Sequence, residues 1–223
     1  MTGQKAQVSN VLATRYASPE MVQIWSAEEK IVLERELWVA VLEGQQDLGL
    51  VVEDSVIDAY RSVINKVDLE SIERRERVTR HDVKARIEEF SSLAGHEQIH
   101  KGLTSRDLTE NVEQLQIKRS MILVQQRLVA VISRLAELAI EHQDTVITGR
   151  SHNVPGQPTT LGKRFANLGE ETILAFERIE ELLKRYPLRG LKGPMGTQQD
   201  LLDLFDGDSS KVNQLERLVA DRL

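Results

Sequence analysis

Residues 104–147 contain neither glycine nor proline, and this uninterrupted stretch limits the possible folds more than any other feature of the chain. Apolar residues recur in it at intervals of three and four from Val112 to Ala139, which is the period of one helix face. At about 1.5 Å per residue, a helix from Thr104 to His142 would be longer than about 50 Å. Globular helices average about 11–12 residues, so the stretch predicts an unusually long rod.

A second rod is predicted after a segment rich in glycine and proline, from about Thr159 to Arg185, and Pro187 closes it. Two long helices in succession are typical of a helical bundle. Shorter helices should precede them, because Ser18-Pro19-Glu20 and Ser26-Ala27-Glu28-Glu29 are helix-start signals. Further short helices are predicted over residues 54–66, 69–77 and 79–95.

The chain has no convincing alternation of the kind that marks strands, so we expect an all-α fold. Its parts would be a small helical N-terminal domain over residues 1–103 and the first part of a long-helix bundle over residues 104–223. The apolar period of the last residues continues to Leu223 without a glycine stop. We therefore expect that the bundle is incomplete and that the chain is a fragment of something larger.

Composition narrows the class of protein. Hydrophobic residues make up 40% of the chain and charged residues 29%, a balance typical of a folded globular protein. The formal net charge of −6 argues against a dedicated nucleic-acid binder, whose footprint is usually basic. The lack of cysteine excludes disulfides, thiolate metal sites and cysteine nucleophiles.

Neither a signal peptide nor a membrane span of about 18 apolar residues is predicted. We expect a cytoplasmic protein with no membrane partner.

The first polar cluster that could carry chemistry is Thr14-Arg15-Tyr16-Ala17-Ser18, just before the first predicted helix. The planar guanidinium of Arg15 and the hydroxyl of Tyr16 would suit a phosphate or a carboxylate. A surface arginine beside an anchoring tyrosine is the alternative, and the cluster alone does not decide between the two.

Two further clusters, Thr79-Arg80-His81-Asp82 and Thr104-Ser105-Arg106-Asp107, have the form Thr-x-x-Asp. In the structural interpretation, each threonine caps a helix and each aspartate favours the positive end of the helix dipole. In the functional interpretation, the free N–H groups and hydroxyls of a helix N-terminus bind an anion. Capping does not require Arg80, His81 or Ser105 within the boxes, so both interpretations stay open.

His152 lies in the segment between the two predicted rods, where a rigid scaffold can present a reactive group to a ligand. An ordinary surface histidine is the alternative. Among the five histidines, only His96 and His100 have a spacing of four residues, and no carboxylates support them, so we expect no metal site. The glycine-rich segment 190–197 lacks the pattern of a phosphate-binding loop and predicts a tight turn where chain segments approach closely.

Four motifs occur in order along the chain. They are Arg15-Tyr16-Ala17-Ser18, Thr79-Arg80-His81-Asp82-Val83, the segment from His100 to Leu108, and Gly149-Arg150-Ser151-His152 followed by residues 159–164. Together they resemble the adenylosuccinate lyase family of the fumarase/aspartase superfamily, and the resemblance covers essentially the whole chain. It implies an entirely helical enzyme of three domains. Four subunits would form a homotetramer, in which each active site gathers residues from three subunits.

The resemblance implies elimination of fumarate from adenylosuccinate to give AMP, and from the succinyl-carboxamide ribotide earlier in purine biosynthesis. No cofactor is implied. Carried over by match, Arg15 and Tyr16 would hold the nucleotide end of the substrate, chiefly its phosphate. Arg80, His81 and Asp82 would orient the substrate, with His81 near the reacting centre.

Also by match, Thr104 and Ser105 would bind a succinyl carboxylate, and His152 would be the general acid that protonates the departing nitrogen. Removing a proton beside a carboxylate builds negative charge on that carboxylate, so fixed donors aimed at it lower the barrier. A positioned acid typically contributes about 10²–10⁴-fold to the rate. A histidine can carry that proton near neutral pH.

The chain departs from the family towards its end. The family's catalytic serine lies on a flexible loop with a Met-Pro-x-Lys-x-Asn signature, which does not occur in these 223 residues. A downstream glutamine that contacts the substrate also has no match, and the role of Gln157 is left open. The resemblance therefore implies an amino-terminal portion that holds the acid but not the base and is inactive alone.

Two alternatives remain: an argininosuccinate-type lyase of the same superfamily, and a helical scaffold that has lost its chemistry. The Arg-Tyr and Arg-His-Asp motifs count against the first alternative. The intact His152, Thr104 and Ser105 count against the second.

Overall fold

The computed structural model describes residues 10–223, and in this range the chain is helical apart from one hairpin of two strands. A π-helical turn, Leu12–Tyr16, comes first. The elements that follow are α1 (Pro19–Ile24), α2 (Ala27–Asp47), α3 (Asp54–Arg61), α4 (Leu69–Thr79), α5 (Asp82–Ala94), α6 (Ser105–Glu141), β1 (Val146–Ser151), β2 (Val154–Thr160), α7 (Leu161–Lys184), α8 (Gln199–Leu204) and α9 (Ser209–Arg222).

The predicted all-α class and most of the predicted helices are confirmed. Both serine caps are present: the hydroxyl oxygen of Ser18 accepts the amide of Met21 at 3.3 Å, and that of Ser26 accepts the amide of Glu29 at 3.1 Å. The predicted rod is α6, which has 37 residues. None of the helices in residues 10–223 is long and apolar enough to cross a lipid bilayer.

The described residues pack as two compact units, which are residues 10–117 with 187–223, and residues 118–186. The first part of α6 belongs to the first unit and the remainder to the second. The predicted domain boundary at residue 103 stays a prediction.

The core of the first unit forms around α2. Trp38 is 1% exposed and its ring stacks on Phe90 with centroids 6.1 Å apart. The Tyr60 ring centroid lies 4.9 Å from that of Phe90. Helices α3, α5 and α9 contribute apolar side chains to the same cluster. Each large side chain buried here contributes about 1.5–3 kcal/mol, so this cluster is the rigid base on which the neighbouring helix ends are held.

A buried carboxylate attaches the segment after α7 to the start of α6. Asp107 is fully buried, forms an ion pair with Arg189, and accepts the backbone amides of Lys192 at 2.9 Å and Gly193 at 3.1 Å. Gly193 has φ +70°, a conformation that side chains disfavour. The predicted tight turn with close approach is confirmed.

The second unit contains the hairpin, so the expectation that the chain has no strands is wrong for residues 146–160. Strands β1 and β2 pair antiparallel, from Val146 opposite Thr160 to Ser151 opposite Val154. Prolines and glycines obscured the strand pattern. A two-stranded hairpin tolerates prolines because one edge of each strand makes no ladder hydrogen bonds.

Candidate active site

The Thr79–Asp82 cluster is arranged differently from the predicted capping box. Helix α4 includes Thr79, and Arg80 then turns the chain with a left-handed backbone, φ 52°. The N-cap of α5 is His81, whose Nδ1 accepts the amide of Lys84 at 3.2 Å. The Thr79 hydroxyl instead donates to the His81 carbonyl at 3.0 Å. The prediction that Thr79 caps this helix is therefore wrong, because the imidazole supplies the acceptor.

The cap orients the other ring nitrogen of His81. Because Nδ1 accepts a backbone N–H, the neutral ring carries its proton on Nε2. Nε2 lies 3.5 Å from the hydroxyl of Ser105, the first residue of α6. The side chain of His81 is 51% exposed, so a ligand can reach it. The N-termini of α5 and α6 therefore meet beside an accessible imidazole and a hydroxyl, an arrangement that suits an anion.

The second predicted box, Thr104–Asp107, is confirmed in its acidic half. Oδ2 of Asp107 accepts the amide of Thr104 at 3.0 Å. Since this carboxylate is buried and also holds the segment at Gly193, it is a structural group that does not face a ligand. Thr104 and Ser105 are only partly buried, and Arg106 is exposed, so these three residues of the box remain accessible.

Asp82 is half exposed, and Nη2 of Arg86 donates to its Oδ2 at 2.8 Å. Burial alone would raise the pKa of the Asp82 carboxyl. The Val83 amide and the Arg86 guanidinium outweigh burial and hold the pKa below its usual value. Asp82 is therefore an anion at neutral pH. Arg86 also contacts a second carboxyl, because its Nε lies 2.7 Å from Oε2 of the buried Glu34. Burial raises the pKa of the Glu34 carboxyl to about 7.

His100 is held as a neutral ring. Its Nδ1 accepts the indole N–H of Trp38 at 3.0 Å, and burial lowers its pKa to about 4. Its partner in the possible i, i+4 pair, His96, offers its backbone carbonyl to the hydroxyl of Tyr60. Within residues 10–223, no three histidine, aspartate or glutamate side chains are placed to share a metal ion.

Arg15 and Tyr16 are exposed in the π-helical turn, where Tyr16 retains 75% of its accessible surface. In the described part of the chain, no hydrogen bond or ion pair connects them to His81 or Ser105. The structure thus brings together the second and third clusters, but not the first with them. The assignment of Arg15 and Tyr16 to a nucleotide phosphate stays a prediction.

His152 belongs to the second unit, at the tip of the hairpin. His152 and Asn153 form the two-residue turn and have φ 50° and 63°. A left-handed backbone is uncommon for histidine, although a turn of this type requires it. Arg150 reinforces the turn by donating to the Asn153 carbonyl at 3.0 Å. The imidazole of His152 is exposed, as a residue that delivers a proton to a ligand must be.

An open groove of about 530 Å³ lies on the hairpin beside the start of α7. Gln157, whose role the sequence left open, is part of its lining. Arg150, Lys163 and Arg164 are also part of the lining, which contains no acidic residue. The groove is therefore suited to an anion.

Sequence reasoning missed Arg86 and Glu34. Arg86 had a signal, because it follows Asp82 by four residues on a helix, the spacing of a side-chain ion pair. Glu34 had none. It lies among the charged residues of α2, and only tertiary packing shows that its side chain is fully buried.

Comparisons with known proteins identify the family of the chain. A family model described as "Lyase" matches residues 13–201. The adenylosuccinate lyase of Schistosoma mansoni is 33% identical over 217 residues, which cover 96% of this chain and 45% of the relative. The adenylosuccinate lyase of Saccharomyces cerevisiae is 35% identical over 217 residues, with 95% and 45% covered.

Among solved structures, the fumarate lyase from Mesorhizobium sp. BNC1 superimposes with a TM-score of 0.80 at 25% identity. The match covers 92% of this chain and 48% of that structure. The chain therefore belongs to the lyase family of the fumarase/aspartase superfamily. It spans about half the length of the curated relatives it matches.

Proposed function

We propose that the protein containing this chain eliminates fumarate from adenylosuccinate, leaving AMP, and from the succinyl-carboxamide ribotide. The observation that carries this proposal is the meeting of His81 and Ser105 at two helix N-termini. That arrangement offers a hydroxyl, an imidazole N–H and backbone N–H groups to one anionic group, such as a succinyl carboxylate.

The reaction breaks a C–N bond and removes a proton from the carbon beside a carboxylate. Negative charge then develops on that carboxylate, and the donors of Thr104 and Ser105 at the start of α6 would stabilise it. Because they are fixed by the fold, these donors need little reorganisation during the reaction. His152 would protonate the departing nitrogen. The base that takes the carbon-bound proton would come from the family's flexible loop, outside these 223 residues.

The remaining candidates would bind the rest of the substrate. Arg15 and Tyr16 would hold the phosphate, and Arg80 would lie beside the substrate at the turn before α5. Asp82, an anion at neutral pH, would accept hydrogen bonds from the substrate rather than bind its phosphate. No cofactor takes part.

We further propose that the active enzyme is a cytoplasmic homotetramer. An apolar groove of about 440 Å³ along α6 and α7 supports this assembly. Ile132, Leu135, Phe165 and Ile173 line it, and its only acidic residue is Glu170. Such a surface is costly to leave in water, and the bundle helices of other subunits would cover it. Residues of different copies would then complete each active site.

The test is a substrate panel with the complete reading frame that encodes the chain. Adenylosuccinate, the succinyl-carboxamide ribotide and argininosuccinate are offered separately, and fumarate and the second product are quantified by chromatography. We expect fumarate and AMP from adenylosuccinate. Fumarate from argininosuccinate alone would replace the proposal with the argininosuccinate-type reaction. Release from none of the three would favour the scaffold.

A further inference from the structure

A line of three charged side chains leads from the core of the first unit to the candidate site. Arg86 lies one turn after Asp82 on α5, and its Nη2 donates to Oδ2 of Asp82 at 2.8 Å. Its Nε lies 2.7 Å from Oε2 of Glu34 on α2. The side chain of Glu34 is fully buried, that of Arg86 is 10% exposed, and that of Asp82 is 52% exposed. Arg86 thus connects a buried carboxyl in the core to an anion at the surface.

The inner contact brings Arg86 and the Glu34 carboxyl together without a hydrogen bond. Neither oxygen of the Glu34 carboxylate has a hydrogen-bond partner, and Nε of Arg86 has none. The neighbouring Arg35 is already engaged, because it donates to Glu89 at 2.5 Å and to the Val63 carbonyl at 2.9 Å. Arg86 is therefore the closest cation to Glu34, and burial on both sides limits the positions that its guanidinium can take.

An exposed pair at this helical spacing is worth little and fixes neither partner. The Asp82–Arg86 pair differs because one partner is buried. Taking one member out of a buried charge cluster leaves an unpaired charge, which is strongly unfavourable. Asp82 is therefore tied to a group that is itself immobile.

We propose that Arg86 is a positioning residue: it holds the Asp82 carboxylate in the orientation that the substrate requires, and Glu34 fixes Arg86 from the core side. The inference rests on the proposed function, in which Asp82 orients the substrate. It adds two residues, on α5 and α2, that contact no substrate themselves.

The experiment uses the complete reading frame and steady-state kinetics on adenylosuccinate. The variant Arg86→Met combined with Glu34→Gln removes both buried ionisable groups together, so no unpaired charge remains in the core. We expect KM to rise about tenfold, the size of a typical coupling between contacting residues, while kcat stays unchanged. In an Asp82→Asn background the same double substitution should change KM no further, since Arg86 acts through Asp82.

Arg61→Met is the matched control, because Arg61 also pairs with two carboxylates but lies on α3 at the surface. Its KM should equal that of the parent. An unchanged KM in the Arg86 and Glu34 variant would overturn the proposal. So would an equal rise in KM with and without Asp82→Asn, because the two effects would then be independent.

A parent protein that releases no fumarate would overturn the proposed function instead. The pKa of the Asp82 carboxyl, measured by ¹³C NMR, then decides the positioning role separately. Loss of Arg86 should raise this pKa, because Arg86 helps to hold it low. An unchanged pKa would show that Arg86 does not hold Asp82.

Discussion

Oγ of Ser105 lies 3.5 Å from Nε2 of His81, although 24 residues separate the two in the chain. The contact is possible because Val83, near the start of α5, and Leu108, near the start of α6, pack in the same apolar cluster as Trp38. Two motifs that each had a plain capping interpretation are thereby combined into one polar site. Their proximity is the strongest structural support for the proposed chemistry.

Ser105→Ala should lower kcat/KM for fumarate release by about 10²-fold, the usual loss when one fixed donor to a developing oxyanion is removed. Ser209→Ala is the matched control, since Ser209 is also the first residue of a helix, α9, and is exposed. Steady-state kinetics with adenylosuccinate measure kcat/KM for both variants and the parent. A Ser105→Ala enzyme with the parent's kcat/KM would remove Ser105 from the site.

His100 should make stability depend on pH in a definite direction. Its pKa in the folded chain is about 4, below the ordinary value of 6.5. Between these values the unfolded chain binds the extra proton, so the contribution to folding stability rises as pH increases from about 4 to 6.5. The full change is about 3 kcal/mol, from about 1.4 kcal/mol per pKa unit.

The measurement compares the melting temperatures of the parent and His100→Asn between pH 4.5 and 7.5. Asparagine tolerates the left-handed backbone at this position, φ 68°. The advantage of the parent over the variant should grow with pH up to about 6.5 and then level off. A difference that stays constant across this range would contradict the buried, neutral state of His100.

Gly162→Ala should destabilise the second unit. A Cβ there would clash with the Ala139 carbonyl in α6 and lie 2.8 Å from backbone atoms of Gln143, in the turn that follows α6. Overpacking of this kind costs about 1–3 kcal/mol, so the melting temperature should fall by several degrees. Gly156→Ala is the control, because its nearest neighbour would be at 3.6 Å, an ordinary contact. Equal melting temperatures for the two variants would contradict the close approach of α6 and α7.

The sequence predicted the helices well, because caps and apolar periods are local signals. Ser18, Ser26 and the stretch without glycine or proline each determine an element without reference to the rest of the chain. The hairpin escaped prediction because prolines and glycines obscure the strand pattern, and the turn at His152 and Asn153 lacks the usual Asn-Gly or Asp-Gly pair. The cap of α5 escaped because an imidazole replaces the hydroxyl that capping rules expect.

The site was predictable only in part. Each motif could be recognised alone, but the distance between Ser105 and His81 depends on packing. The burial of Glu34 depends in the same way on the helices that cover α2. The spacing of apolar residues along one helix predicts which of its faces is buried. It does not reveal which charged side chain a neighbouring helix will cover.

The assignment of His152 as general acid is tested most directly by fumarate release from adenylosuccinate by the complete reading frame, its His152→Asn variant and its His142→Asn variant. Asparagine preserves the left-handed turn of the hairpin while removing the imidazole proton. His142, partly buried beside Phe165, is the matched control outside the proposed site. We predict that release falls by about 10²–10⁴-fold in His152→Asn and is unchanged in His142→Asn. Undiminished release from His152→Asn would contradict the assignment.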